Sequence, residues 1–370
     1  VKVTIVGGGN AGCFTALHYA WYMRDSNVEV ELIHNPEISP EKVGQATALE
    51  PPELLYVALG FDWFNNKIHA TPKSGVVYEG WGKSNDVVSH PFPPNKMAMH
   101  YCPCEMQRSI LESGRFRVIE SDIENINNID ADYIFDCRGT PKDLSDYEEL
   151  KNPINAAIIG KPNWDVSCMW TRAVATPDGW TFIIPAAKDS PSYDGCVGYL
   201  YNSTITSKDD AVKNFVDLFD VDISSHINFN NYVSKNPIID DRIFLNGNRL
   251  FFLEPLEATA LQTYLQWARY AFGVVTQETS SLDAVKNIKT YIEQVQNFVL
   301  WHYQFGSKYD TPFWKYAKTL VFKDPIFNRY LKESRKKSRD DLDSWSTVVS
   351  EDYAFWQPIN FKIWDEGMAL

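Results

Sequence analysis

Six residues constrain this chain more than any others. Gly7-Gly8-Gly9-Asn10-Ala11-Gly12 places glycines at G-x-G-x-x-G spacing directly after the apolar run Val1 to Val6. A helical pattern follows from Ala11 to Met23, with Phe14, Leu17 and Trp21 on one face. Val28 to Ile33 then reads as a second strand, so the chain opens with a β-α-β unit. Gly7 permits the tight turn, Gly9 lets a pyrophosphate approach the backbone, and Gly12 allows close helix–strand packing. The helix start at Asn10 and Ala11 supplies N–H donors and partial positive charge. A dinucleotide is the expected ligand, and the loop alone does not separate FAD from NAD. The second strand ends Leu32-Ile33-His34-Asn35, where this type of unit ordinarily carries an acid for the ribose hydroxyls. His34 is the candidate to replace it through a hydrogen bond.

Beyond this unit, residues 34 to 60 read as turn-rich, with Pro36, Pro40, Pro51 and Pro52. Strand candidates follow at Val76 to Trp81, Phe116 to Ile119, Tyr133 to Asp136, Trp180 to Ile184, Cys196 to Tyr201 and Phe251 to Leu253. The last third is helical. Leu261, Tyr264, Leu265, Ala268 and Phe272 line a helix expected to stop at Gly273. Val285, Ile288, Ile292, Val295 and Val299 line a longer one expected to end before Gly306. No linker divides the 370 residues, so residues 1–300 read as interleaved nucleotide and substrate regions. Residues 301–370 read as a helical region capping the substrate site.

Composition excludes several functions. The net charge is −13, and the one dense basic run, Lys332 to Arg339, is followed at once by Asp340, Asp341 and Asp343. A phosphate backbone would repel such a surface, so nucleic acid is not an expected partner. No apolar run reaches the ~20 residues of a membrane span. The six cysteines are dispersed, and Cys102-Pro103-Cys104 lacks the spacer of a metal or redox pair. No metal is expected, and the thiols point to a reducing, cytoplasmic setting without a visible signal peptide.

Five further segments carry a resemblance. Val43-Gly44-Gln45-Ala46-Thr47, Asp132 to Gly139 (DYIFDCRG) and Trp180-Thr181-Phe182-Ile183-Ile184-Pro185 come first. Glu254-Pro255-Leu256-Glu257-Ala258-Thr259-Ala260 follows, then Trp301-His302-Tyr303 with Asp310-Thr311-Pro312-Phe313-Trp314. In this order they resemble the flavin-dependent halogenases of the tryptophan halogenase type. Gln45 stands where the family has Glu, Phe182 where it has Trp, and Ala258 and Ala260 where it has Ser and Gly. The chain is short for the family and resembles an atypical, compact branch for which a viral source is one expectation.

The resemblance implies an α/β fold with an FAD-binding Rossmann-like core of the glutathione-reductase and flavin-monooxygenase type. An additional substrate β-sheet and a helical C-terminal part complete it. It implies that reduced FAD, O2 and halide give hypohalous acid, which travels through a tunnel to a lysine beside an indole- or phenol-like aromatic substrate. That lysine maps to Lys73 in Thr71-Pro72-Lys73-Ser74-Gly75, with Lys67 and Lys83 as neighbours that could compete. A lysine outside such a context is ordinarily a solvated surface cation. Glu257 maps to the essential acid, and Glu254 to a structural one.

The cofactor contacts map to Gly7, Gly9, Asn10, Ala11, Gly12, His34, Gln45, Ala46, Thr47, Asp136 and Gly139. Halide maps to the helix start at Thr259 and Ala260, where backbone N–H groups are free. Chloride, bromide and iodide all stay open there. His90 and Phe92, in His90-Pro91-Phe92, map to rings that sandwich the substrate. A core turn explains them equally well. Trp180, Phe182 and Pro185 map to the tunnel wall, where ordinary packing is the competing explanation. The resemblance also implies a separate, transient flavin reductase. A homo-oligomer stays open. A flavin monooxygenase and a non-catalytic FAD-binding relative remain the rival readings.

Overall fold

In the computed structural model, residues 1–40, 45–82, 87–186, 195–339 and 353–369 are described here. Val43, Gly44, Lys83, Asp340, Asp341 and Asp343 lie outside them. Two sheets organise the chain. The first is the nucleotide sheet, ordered Ile238–Ile239, Ile243–Leu245, Tyr133–Asp136, Lys2–Val6, Glu29–His34 and Arg117–Glu120. Its central strands are parallel and buried, which is why they read as continuous apolar runs. The helix Asn10–Tyr22 packs on it and against the helix Thr259–Val275 from the far end of the sequence.

The second sheet has seven strands, ordered Val221–Asn228, Ala156–Pro162, Cys196–Tyr201, Gly179–Ile184, Thr171–Thr176, Gly75–Glu79 and Val87–Pro91. In a small third sheet, Gln45–Ala46 and Thr71–Lys73 flank Ala98–Tyr101 on opposite sides. This small sheet brings the segment after the nucleotide unit beside Lys73. The fold is therefore the expected α/β arrangement with an added sheet and a helical C-terminal part.

Two expectations change. The stretch 34–60 contains the helix Glu50–Leu59, with Pro51 and Pro52 in its first turn and left-handed Gly60 at its end. Proline fits that turn because its missing N–H would have had no partner there. Gly273 does not stop its helix, which runs to Val275. A side chain at Gly273 would strike Thr279 Oγ1 at 2.7 Å, and its carbonyl accepts the N–H groups of Glu278 and Thr279. This glycine serves the returning turn. The longer C-terminal helix runs unbroken from Ser281 to Phe305.

The C-terminal helix Pro358–Ala369 packs beside the hairpin strand Val87–Pro91 and the helix Pro325–Lys336. Cations of the basic run are spent internally: Arg335 pairs with Asp365 at 2.6 Å and Arg339 with Glu366 at 2.8 Å. Among the described residues, no helix is long and apolar enough to cross a membrane, and no cluster of ligands suits a metal.

Candidate active site

The glycine loop has the geometry its sequence requires. Gly7 sits at φ 116°, and a Cβ there would lie 2.4 Å from the Cys137 carbonyl oxygen. A Cβ on Gly12 would lie 1.8 Å from the Gly7 carbonyl oxygen. Gly9 is different: nothing in the protein lies within 4 Å of where its Cβ would be. It precedes a helix that has no side-chain cap and no acid in its first turn. An uncapped, positively polarised helix start facing open space suits a pyrophosphate. His34 lines a cleft of about 940 Å³ together with Ser39, Gln107, Arg108 and Glu120. These residues fit an FAD-type dinucleotide, with His34 on the side where the strand ends.

Asn10 donates to Gln45 Oε1 at 2.7 Å, and Tyr101 donates to the same oxygen at 3.0 Å. Gln45 and Ala46 pair with the strand Ala98–Tyr101, and Thr47 continues beyond them. Asp136 is occupied differently from a free ligand for the cofactor. Its carboxylate receives Arg138 at 2.8 and 2.9 Å, with Arg249 at 3.6 Å. Gly139 has φ 77° and open space at its Cβ position.

Lys73 is 1% exposed. Its Nζ donates to the Thr47 carbonyl at 3.0 Å and stands 5.4 Å from the centre of the Phe92 ring. Burial pulls its pKa down to about 8, and the Glu257 charge opposes that fall. Lys67 has no such setting on a strand of this sheet.

Glu257 lies across from it at a strained corner. Glu257 and Ala258 are consecutive left-handed residues, at φ 68° and 55°, and the helix Thr259–Val275 begins immediately after them. Ala258 caps that helix without a side-chain bond, so the first N–H groups, those of Thr259 and Ala260 among them, have no side-chain cap. The Glu257 side chain is 6% exposed. Its Oε1 accepts from the Tyr78 hydroxyl and lies 3.2 Å from His302 Nε2 and 3.5 Å from His90 Nδ1. Burial pushes this carboxyl up, but His90 and His302 together outweigh it and hold the carboxyl well below its ordinary value.

Glu254, three residues earlier, has the opposite character. Oε1 accepts from Asn152 and Tyr303, and Oε2 accepts from Trp180 at 2.8 Å. Burial nonetheless raises it to about 7. Trp180 thus serves Glu254 with its indole N–H, while the Phe182 ring fills the space a side chain on Gly198 would take. Pro185 is buried at the end of the same strand.

Three polar residues around Glu257 and its neighbour His90 escaped the sequence reading as site residues: Tyr78, His302 and Asn360. Tyr78 and His90 project from one hairpin, in which Tyr78 pairs with Val88 and Val76 with His90. Trp364 is fully buried and meets Tyr78, His90 and His302 edge-on, with ring centres 4.1, 5.2 and 4.2 Å away. A signal existed for His302, because Trp301-His302-Tyr303 is one of the matched segments. Its two polar members turn out to serve Glu257 and Glu254 respectively.

The sequence model of the tryptophan halogenase family matches residues 2–110 and 112–368. The chain belongs to the tryptophan halogenase family. Among curated proteins, this tryptophan halogenase family member is 27% identical over 217 residues to tryptophan 7-halogenase RebH of Lentzea aerocolonigenes. It is 22% identical over 235 residues to tryptophan 6-halogenase ThaL of Streptomyces albogriseolus. These stretches cover 54% and 61% of the chain, and each covers 39% of its relative, so the match spans about two-fifths of either curated relative's length. The fold is shared with a flavin-dependent halogenase from Xanthomonas campestris, at TM-score 0.80 and 18% identity over 99% of this chain and 88% of that one. It is also shared with a tryptophan halogenase from Shewanella frigidimarina, at TM-score 0.80 and 18% identity over 100% and 89%.

Proposed function

We propose that this chain is a flavin-dependent halogenase acting on an indole- or phenol-like aromatic substrate. Reduced FAD, delivered by a separate flavin reductase, supplies hypohalous acid from O2 and halide. The FAD is held by Gly7, Gly9, Asn10, Ala11 and Gly12, with His34, Gln45, Ala46, Thr47, Asp136 and Gly139 around it. Asp136 would act through Arg138, which occupies its carboxylate. The uncapped backbone donors of Thr259 and Ala260 bind the halide.

The observation that carries this reading is a buried lysine electrostatically coupled to a buried, ionised carboxylate. Burying ions costs several kcal/mol each, and perturbed, coupled groups of this kind concentrate at reactive sites. As an ammonium, Lys73 donates a hydrogen bond to the oxygen of hypohalous acid and turns its electrophilic halogen to the ring. As a neutral amine, which its pKa near 8 makes accessible, it can form the haloamine. Glu257 accepts the proton the ring loses as aromaticity returns. His90 and Phe92 flank the substrate. Trp180, Phe182 and Pro185 wall a passage that keeps substrate off the cofactor, and the helix Pro358–Ala369 caps the site.

The test supplies flavin reductase, NADH, FAD, O2 and each of chloride, bromide and iodide, with a panel of indoles and phenols. Mass spectrometry should find halogen added to an aromatic ring, and not in Lys73→Ala. Oxygen added instead, and persisting in that variant, would favour a monooxygenase. A protein that takes up FAD and yields neither product would favour a non-catalytic relative.

A further inference from the structure

Glu257 has two histidine neighbours, and the hydrogen bonds behind them differ. His302 Nδ1 faces the Phe298 carbonyl at 2.7 Å. A carbonyl only accepts, so Nδ1 carries hydrogen and Nε2 is the nitrogen turned to Glu257. His90 presents Nδ1 to Glu257 and has Nε2 at 2.7 Å from Asn360 Nδ2.

The orientation of the Asn360 amide is set independently. Asn360 occupies the third position of the helix Pro358–Ala369, and its Oδ1 accepts the N–H of Gln357 at 2.7 Å. This is the return half of a capping box, in which a third-position side chain satisfies the N-cap N–H. With Oδ1 so occupied, the NH2 group must face His90. An amide NH2 only donates, so His90 Nε2 must accept, and the ring's hydrogen must sit on Nδ1, directed at Glu257. Both partners are buried, Asn360 at 8% exposure and His90 at 6%, so water does not readily replace this bond.

We infer that Asn360 is a positioning residue that fixes His90 as the neutral Nδ1–H tautomer. The His90 Nδ1–H then faces Glu257 Oε1 across 3.5 Å, and His302 Nε2 is the nearer ring nitrogen at 3.2 Å. A role for this arrangement in turnover rests on the halogenase reading above; the tautomer itself does not. The charged and titratable groups around the pair are Glu257 and, through it, Tyr78, His302 and Lys73.

The experiment is nitrogen NMR on the full chain with 15N-labelled histidine, His90 being assigned by its loss in His90→Gln. Wild type should show His90 Nε2 unprotonated and Nδ1 protonated across neutral pH. Asn360→Leu should give mixed tautomers. Asn360→Asp, nearly the same shape, offers Nε2 an acceptor and should give a doubly protonated His90 that persists to higher pH. In turnover, Asn360→Leu should lower kcat about tenfold, less than the ~100-fold or more expected from losing an acid–base group outright. KM should change little, and the acid limb of the pH profile should move in Asn360→Asp. A wild-type His90 protonated on Nε2, or an Asn360→Asp variant with unchanged ring nitrogens, would overturn the inference. Because NMR needs no turnover, a protein that halogenates nothing would sink the functional reading while the tautomer is still decided.

Discussion

Lys73 Nζ donates to the carbonyl oxygen of Thr47 at 3.0 Å. Through that bond the lysine holds the segment whose other end, Gln45, is held by Asn10 of the glycine-loop helix. The nucleotide end and the lysine end of the site therefore share one short strap across the strand Ala98–Tyr101. The geometry gives the lysine's charge a cost that a substitution can reveal.

Lys73→Met should abolish halogenation, by at least ~100-fold, while reduced flavin continues to be oxidised. It should not lower stability at pH 7. The folded-state pKa is about 8 against an ordinary 10.5, so the unfolded chain binds more protons between those values. Wild-type stability therefore rises with pH through that window, and the penalty is complete below it. Chemical denaturation of both proteins at pH 7 and pH 10 checks this. The wild type should gain on Lys73→Met as pH increases.

Gly9→Ala and Gly12→Ala should separate binding from folding. The Gly12 methyl would sit 1.8 Å from a backbone oxygen that cannot move without breaking the turn, so that variant should misfold or lose several kcal/mol. The Gly9 methyl meets no protein atom. Its circular dichroism and cofactor-free melting temperature should match wild type, while FAD affinity, read by flavin fluorescence, should fall at least tenfold. Equal FAD affinity in Gly9→Ala would mean the cofactor phosphates lie elsewhere.

The sequence was legible where one local rule decides the outcome. The loop glycines, the strand Tyr133–Asp136 and the helix start at Thr259 each follow from neighbours a few residues away. Glu50–Leu59 was obscured because its prolines, which belong in a first turn, look like breakers when read as composition. Lys73 and Glu257 came from resemblance, since no spacing rule joins positions 184 residues apart. Tyr78, His302 and Asn360 were invisible as site residues for that reason. Tyr78 and His302 reach Glu257 from a hairpin and a long helix, Asn360 reaches His90 from the C-terminal helix, and only the packed fold brings these together. Strands such as Ala156–Pro162 and Val221–Asn228 lacked a decisive apolar pattern, being defined by antiparallel pairing with each other.

Glu254→Gln should behave as a structural change. Rotating the new amide to keep Trp180's bond puts NH2 against Asn152 Nδ2 and the Tyr303 hydroxyl. The hydroxyl can turn and accept, but the Asn152 amide cannot flip, because its Oδ1 accepts from Ile154 N–H. Losing that bond at a buried site should cost about 1–3 kcal/mol at pH 7. The wild-type carboxyl, raised to about 7 from 4.5, favours the folded state most below pH 4.5. Its contribution declines as pH rises to 7, because there the folded protein holds the proton that the unfolded chain has released. Thermal melts from pH 4.5 to 8 should show that component in wild type and not in Glu254→Gln. Glu257→Gln should instead lower kcat.

Ala258→Gly tests whether the corner before the proposed halide site is strained by design. The chain must turn from Pro255, at φ −81°, to the helix beginning at Thr259, and it does so with two successive left-handed residues. For alanine that conformation costs roughly 1–2 kcal/mol, and glycine removes the cost while adding up to ~1 kcal/mol of unfolded-state entropy. The net expectation is a gain of about 0.5–1 kcal/mol in unfolding free energy. The same freedom loosens the backbone N–H groups of Thr259 and Ala260, whose fixed direction is what an anion requires. The KM for halide should therefore rise a few-fold while kcat at saturating halide is retained. Measuring chloride and bromide separately sharpens the result, because a looser cradle should penalise the smaller, more strongly hydrated chloride more. A variant that is stabilised with both halide KM values unchanged would show that the strain belongs to the turn alone and that the anion binds away from this helix start.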